Sequence, residues 1–171
     1  MAINFIDYPN FKPNLTPFEI FKKGAFGGTY FRKIKSPDTG IIYENNYKKF
    51  DFLKKLDDKY YKSDKYDINI NKYKVKTGMS YEYWMDKGWI KEDLDPYGWV
   101  EWYCNFYNGR RTNDDERQIK RWLNIAGKNG RFKKQLQNKI NNDNINDETK
   151  YPKIRQLLLH WAFDTSKLKV V

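Results

Sequence analysis

The chain has 171 residues, enough for one domain of ordinary size, with 39% hydrophobic residues, 18% aromatic residues and a formal net charge of +11. Aromatic side chains bury ~150–250 Å² each, so this content fills a core that the lean aliphatic share would not, and it excludes a disordered chain. One cysteine, Cys104, and one histidine, His160, exclude an internal disulfide and a four-ligand zinc site, and no run of 18 apolar residues is present to cross a membrane.

The positive balance predicts attraction to nucleic acid or acidic proteins. Lys, Asn, Ile and Tyr are the residues of A/T-rich codons, so part of the lysine excess is compositional; arginine is not favoured by that bias, and its positions are the informative ones. The lone cysteine points to a reducing, intracellular compartment, cytoplasmic or nuclear. Met1 to Asn10 shows no basic n-region and no apolar run, so no signal peptide is expected there.

Along the chain, residues 1–15 read as irregular, with Pro9 and Pro13 against regular structure. Thr16-Pro17-Phe18-Glu19 is a helix start, and Gly24 stops that helix. Gly24-Ala25-Phe26-Gly27-Gly28-Thr29 reads as a glycine turn running into a strand over Thr29–Arg32. Ser36-Pro37-Asp38-Thr39-Gly40 is a strong turn, and Ile41-Ile42-Tyr43 the returning strand of a hairpin. Residues 44–77 alternate only weakly and define no element. Ser80 caps a short helix over 81–87 ended by Gly88. Asp95-Pro96 starts a helix whose Trp99, Trp102, Tyr103, Phe106 and Tyr107 recur at helical spacing as far as Gly109. Thr112 caps the next, with acids in its first turn and an apolar stripe of Ile119, Trp122, Leu123 and Ala126. A third carries Phe132, Leu136 and Ile140; residues 141–149 form a polar linker. The last follows Pro152, with Ile154, Leu157, Leu158 and Trp161 on one face. The expected fold is mainly α with a small N-terminal β-hairpin (α+β). One globular domain spans 16–165, with a mixed α/β part over 16–90 and a basic unit of about four helices over 91–165, followed by a tail at 166–171.

Several motifs together carry a resemblance: Gly27-Gly-Thr-Tyr-Phe-Arg32, Asp95-Pro-Tyr-Gly-Trp99, Trp102-Tyr-Cys104, Gly109-Arg-Arg111, Arg117-Gln-Ile119 and Leu158-Leu-His-Trp161. Over about residues 16–163 the chain resembles an uncharacterised protein family scattered through protists, fungi, plants, fish and large DNA viruses. The A/T-biased composition resembles that of a large-virus member, for which a virus factory would be the compartment. The resemblance implies no activity. Asn105 stands where the family tends to place a basic residue.

The clearest constellation is cationic. Arg110, Arg111, Arg117, Arg121 and Arg131 fall at turns and helix starts within one stretch that also holds Lys120, Lys128, Lys133 and Lys134. Arginine forks beside helix N-termini suit phosphate oxygens, and interleaved aromatics suit stacking on unpaired bases. The competing reading pairs these arginines with Glu101, Asp114, Asp115 and Glu116 to brace the bundle. It stands level for Arg117 and Arg121, whereas Arg110, Arg111 and Arg131, beside glycines, favour anion contact. Arg32, Arg155, Trp84 and Trp89 are secondary candidates, the two tryptophans because they flank a glycine turn where a flat or methylated group could lodge. Trp99, Trp102, Trp122 and Trp161 sit on helical stripes and read mainly as core. The glycine turn lacks the Lys-Ser/Thr ending of a phosphate loop and reads as backbone needing positive φ. Cys104 and His160 lie in aromatic or apolar helices and read as core, not as a nucleophile and its base. Asp93, Asp95, Glu101, Asp114 and Asp115 could gather Mg²⁺, but Asp95 and the Asp114/Asp115 pair already have helix-start duties. The leading expectation is a nucleic-acid-binding protein that contacts phosphates through clustered arginines, with no metal or other cofactor and no membrane partner. The second is an adaptor for acidic or modified proteins using an aromatic surface. A metal-dependent enzyme acting on nucleic acid comes third.

Overall fold

The computed structural model describes residues 3–171. Helices account for about 46% of it, and the β structure is one short hairpin early in the chain, so the fold is mainly α with a small β element, as expected. The first helix, α1 (Pro17–Lys23), is set by a reciprocal cap. Thr16 Oγ1 accepts from the Glu19 N–H, and the Glu19 carboxylate accepts from the Thr16 N–H.

The strand expected over Thr29–Arg32 is a correction. Phe26–Gly28 form a 3-10 turn, and the hairpin strands are β1 (Ile34–Lys35) and β2 (Ile42–Tyr43), antiparallel with Ile34 opposite Tyr43. Residues 29–32 turn instead of extending: the Arg32 N–H donates to the Thr29 carbonyl and the Phe31 N–H to the Tyr61 carbonyl. The carbonyls of Gly24, Gly27 and Gly28 accept from the N–H groups of Lys72, Asp67 and Ser63. A Cβ on Gly28 (φ +82°) would sit 2.0 Å from the Lys59 carbonyl oxygen, so the turn serves close backbone approach. The segment 44–77, which has no periodicity, is a chain of 3-10 turns (Asn46–Lys49, Asp51–Lys55, Asp58–Tyr60 and Ile68–Ile70). It is anchored by buried Phe50, Leu53, Tyr61 and Asn71, the last accepting from the Gly27 N–H at 2.7 Å.

The helical part holds α2 (Tyr81–Asp86), α3 (Trp99–Tyr107), α4 (Asp115–Ala126), α5 (Arg131–Asp143) and α6 (Pro152–His160). The helix expected from Asp95 begins four residues later, because Gly98 (φ +97°, ψ −153°) interrupts helical geometry. Asp95 therefore has no capping duty. Its fully buried carboxylate accepts from Asn105 Nδ2 (2.9 Å) and Arg110 Nη2 (2.6 Å), tying the two ends of α3 together. Thr112 likewise sits one turn ahead of α4, whose start is organised by Asp115; that carboxylate accepts from the Thr112 N–H and from Trp102 Nε1. The polar linker begins after Asp143, three residues later than expected, with Asn144 left-handed.

Phe11, fully buried despite its irregular N-terminal segment, is the hub of the aromatic core. Its ring lies 5.2–6.2 Å from those of Trp99, Trp102, Tyr103, Phe106 and Trp122. Tyr30 stitches the two halves, donating to the Tyr97 carbonyl and accepting from the Glu101 N–H. On α6 the buried face is Arg155, Gln156, Leu158 and Leu159, while the expected Ile154 and Leu157 are only half-buried. The rotation follows from Arg155, which is fully buried and donates to Thr165 Oγ1, Asn146 Oδ1 and the carbonyls of Asp147 and Lys150. No helix among the described residues is long and apolar enough to cross a membrane.

Candidate functional site

The five clustered arginines take up different positions. Arg110 is held by the buried Asp95 and by the Leu94 carbonyl. Arg111 donates to Asp7 (2.7 Å) and to the carbonyls of Phe106 and Arg110, with its guanidinium 3.7 Å from the Phe106 ring centroid. Arg117 makes a two-pronged pair with Asp114, at 2.6 and 3.0 Å. Arg121 and Arg131 have no carboxylate partner among the described residues. Of the secondary candidates, Arg32 bonds the Thr29 carbonyl and Arg155 is the structural brace described above.

Arg121 forms one wall of a cavity of about 550 Å³, in the size range of small-molecule sites. The cavity lies where α2, α4, α5 and α6 meet the loops at 77–79 and 87–98, and its lining is aromatic. Trp84, Trp89, Trp99 and Trp161 contribute, together with Phe26 and Phe132. Several of these rings are fixed by packing or by spent polar edges. Trp99 donates its Nε1–H to the Gln118 carbonyl and packs on Trp161 at 4.9 Å, and Trp161 is held by its own carbonyl, which accepts from Trp122 Nε1. What the cavity offers a ligand is mainly aromatic surface. Trp89, 37% exposed, and Met79, 54% exposed, stand on the solvent side.

Besides Thr77, Asn124 and the Tyr30 hydroxyl, two polar features interrupt this lining. Arg121 is the one charged residue in it; its guanidinium lies 5.6 Å from the Trp89 ring and 5.3 Å from the Trp161 ring. It donates only to neutral acceptors, the Trp89 carbonyl (3.1 Å) and Gln118 Oε1 (2.8 Å). The same Trp89 carbonyl accepts from Arg117. Burial, and then the Arg117 charge, pull the Arg121 pKa down to about 10, so this cation is poorly compensated. Arg131 is exposed at the start of α5, with its guanidinium 5.4 Å from the ring of Phe132, a cavity wall. The second feature is His160. Its ring stacks on Phe26 (centroids 4.1 Å apart), it is 8% exposed, and Nε2 is buried with no hydrogen-bond partner among the described residues. Burial pushes its pKa down to about 3, so the imidazole is neutral near pH 7, with one nitrogen a donor and the other an acceptor. Gly78 (φ +88°) sets the 77–79 loop against this ring, where a Cβ would make ordinary van der Waals contact at 3.6 Å.

The cavity thus gathers three residues singled out from sequence (Arg121, Trp84 and Trp89) and leaves Arg110 and Arg111 outside its lining. Sequence reasoning placed Trp99, Trp161 and His160 in the core and missed their cavity faces. A helical stripe shows which residues turn inward, but not whether the interior they meet is filled. Cys104 is fully buried and burial pushes its thiol pKa well up, so it has no thiolate character. Among the described residues no group of three His, Cys, Asp or Glu side chains gathers to hold a metal ion. No protein-family model matches the chain, and comparison with curated proteins and with solved structures finds no significant match.

Proposed function

We propose that the protein binds single-stranded nucleic acid, with Arg121 and Arg131 meeting the phosphates beside the aromatic cavity. The observation that carries this reading is Arg121, a guanidinium half-buried among tryptophans with no carboxylate partner and a second guanidinium hydrogen-bonded to the same carbonyl. Such a site is short of negative charge, and a phosphodiester supplies it through two non-bridging oxygens that the planar guanidinium fork can pair. The +11 balance of the chain adds long-range attraction. Relative to the expectation from sequence, the phosphate contacts narrow from five arginines to two, because Arg110, Arg111 and Arg117 already hold internal carboxylates.

The test is a fluorescence-anisotropy titration with single-stranded RNA and DNA at several salt concentrations. Affinity is expected to fall as salt rises, and Arg121→Ala and Arg131→Ala should each flatten the log–log slope by about 0.7. Absence of salt-dependent binding to both polymers overturns the reading. Capture of an acidic protein that survives nuclease treatment, without such binding, would put the adaptor reading in its place.

A further inference from the structure

We propose that the aromatic cavity takes one unpaired base of the bound strand, stacked among its tryptophans beside Arg121. This rests on the nucleic-acid reading above and adds to it the part of the ligand that enters the protein.

The lining restricts the occupant. Four tryptophans make the lining aromatic, which favours a flat ring over an aliphatic chain. A cationic guest such as a methylated lysine is disfavoured, because the one charge in the lining is the positive Arg121 and no carboxylate lies there to balance a second cation. A flat ring attached to an anion satisfies both conditions at once, with aromatic surface from the tryptophans and a phosphate for Arg121. A nucleobase on its backbone has that make-up. Because pairing and stacking must be given up before a base can enter, an unpaired strand is the form taken.

The experiment compares two single-stranded oligomers of about eight nucleotides, one carrying bases and one abasic throughout, titrated onto the full chain at fixed low salt. The base-bearing oligomer is expected to bind about 10-fold tighter or more and to quench tryptophan emission, whereas the abasic one binds through phosphates without quenching. Trp89→Ala, at a side chain 37% exposed, should bring the base-bearing oligomer close to the abasic affinity measured on the same variant. Photo-cross-linking of the wild-type chain to an iodouracil-bearing strand provides a readout independent of any variant, with adducts expected on Trp84, Trp89 or Phe132. Equal affinity for the two oligomers without quenching, or adducts confined to tyrosines outside the cavity, overturns this inference while leaving phosphate binding intact. No binding of either oligomer overturns both readings.

Discussion

Replacing His160 tests how dry the cavity floor is. The imidazole is 8% exposed and its pKa is pushed by burial from 6.5 down to about 3. The unfolded chain takes up a proton as pH falls through 6.5, and the folded chain does not, so the unfolded state binds more protons throughout that window. The stability contributed by the neutral imidazole is therefore complete above pH 6.5 and is lost as pH falls towards 3, at up to about 1.4 kcal/mol per pH unit. Between pH 6.5 and pH 5 this comes to about 2 kcal/mol, or roughly 4–8 °C in Tm for a chain of this size. His160→Phe keeps the stack on Phe26 and removes the titrating group. Thermal unfolding of both proteins by calorimetry from pH 5 to pH 7.5 isolates this contribution, because the carboxylates titrate alike in both and cancel in the difference. The two Tm curves should run parallel above pH 7, and below it the wild type should lose about 4–8 °C relative to the variant. Parallel curves over the whole range would refute the reasoning: His160 would then titrate near its ordinary value, reached by water through the cavity.

Other consequences are equally open to measurement. Arg155→Met leaves the acceptors on Asn146, Asp147, Lys150 and Thr165 without their donor, and urea unfolding should show a loss of about 3–5 kcal/mol; a loss below about 1 kcal/mol would mean that water replaces the guanidinium. Gly28→Ala, with positive φ and a Cβ 2.0 Å from a carbonyl oxygen, should cost clearly more than Gly40→Ala, which shares the positive φ but meets nothing within 4 Å and should cost about 1–2 kcal/mol. Equal costs would show that the 44–77 segment gives way. Cys104 should resist a thiol reagent in the native protein and react at once in denaturant, and immediate stoichiometric labelling under native conditions would contradict its burial.

Local signals were legible wherever the residues concerned interact with their own neighbours. The reciprocal cap of Thr16 and Glu19, the Ser80 cap of α2 and the stripe of Ile119, Trp122 and Ala126 lie within one or a few helical turns, where spacing alone determines who meets whom. The 3-10 chain over 44–77 carries only the local caps of Asp57 and Asp67, and its placement comes from distant partners: the glycine-turn carbonyls and pockets for Phe50, Leu53 and Tyr61. The late start of α3 belongs to the same class. Gly98 could have marked it, yet the capping chemistry of Asp95-Pro96 masked the break until Asp95 proved to be spent on Arg110 and Asn105.

By itself, then, the sequence determined a folded, aromatic-cored, mainly helical chain with an excess of positive charge, because composition and helical periodicity are properties of short stretches. Only the tertiary structure decided which charges are spent. Arg111 meets Asp7 across a separation of 104 positions, and Arg110 meets Asp95 across 15, pairings that no local spacing encodes. It also decided that Phe26, Trp84, Trp89 and Trp161, scattered along the chain, face one cavity with Arg121 and His160 in its walls. Periodicity tells a side chain to turn inward; whether the interior it meets is filled or hollow depends on how all the elements pack together.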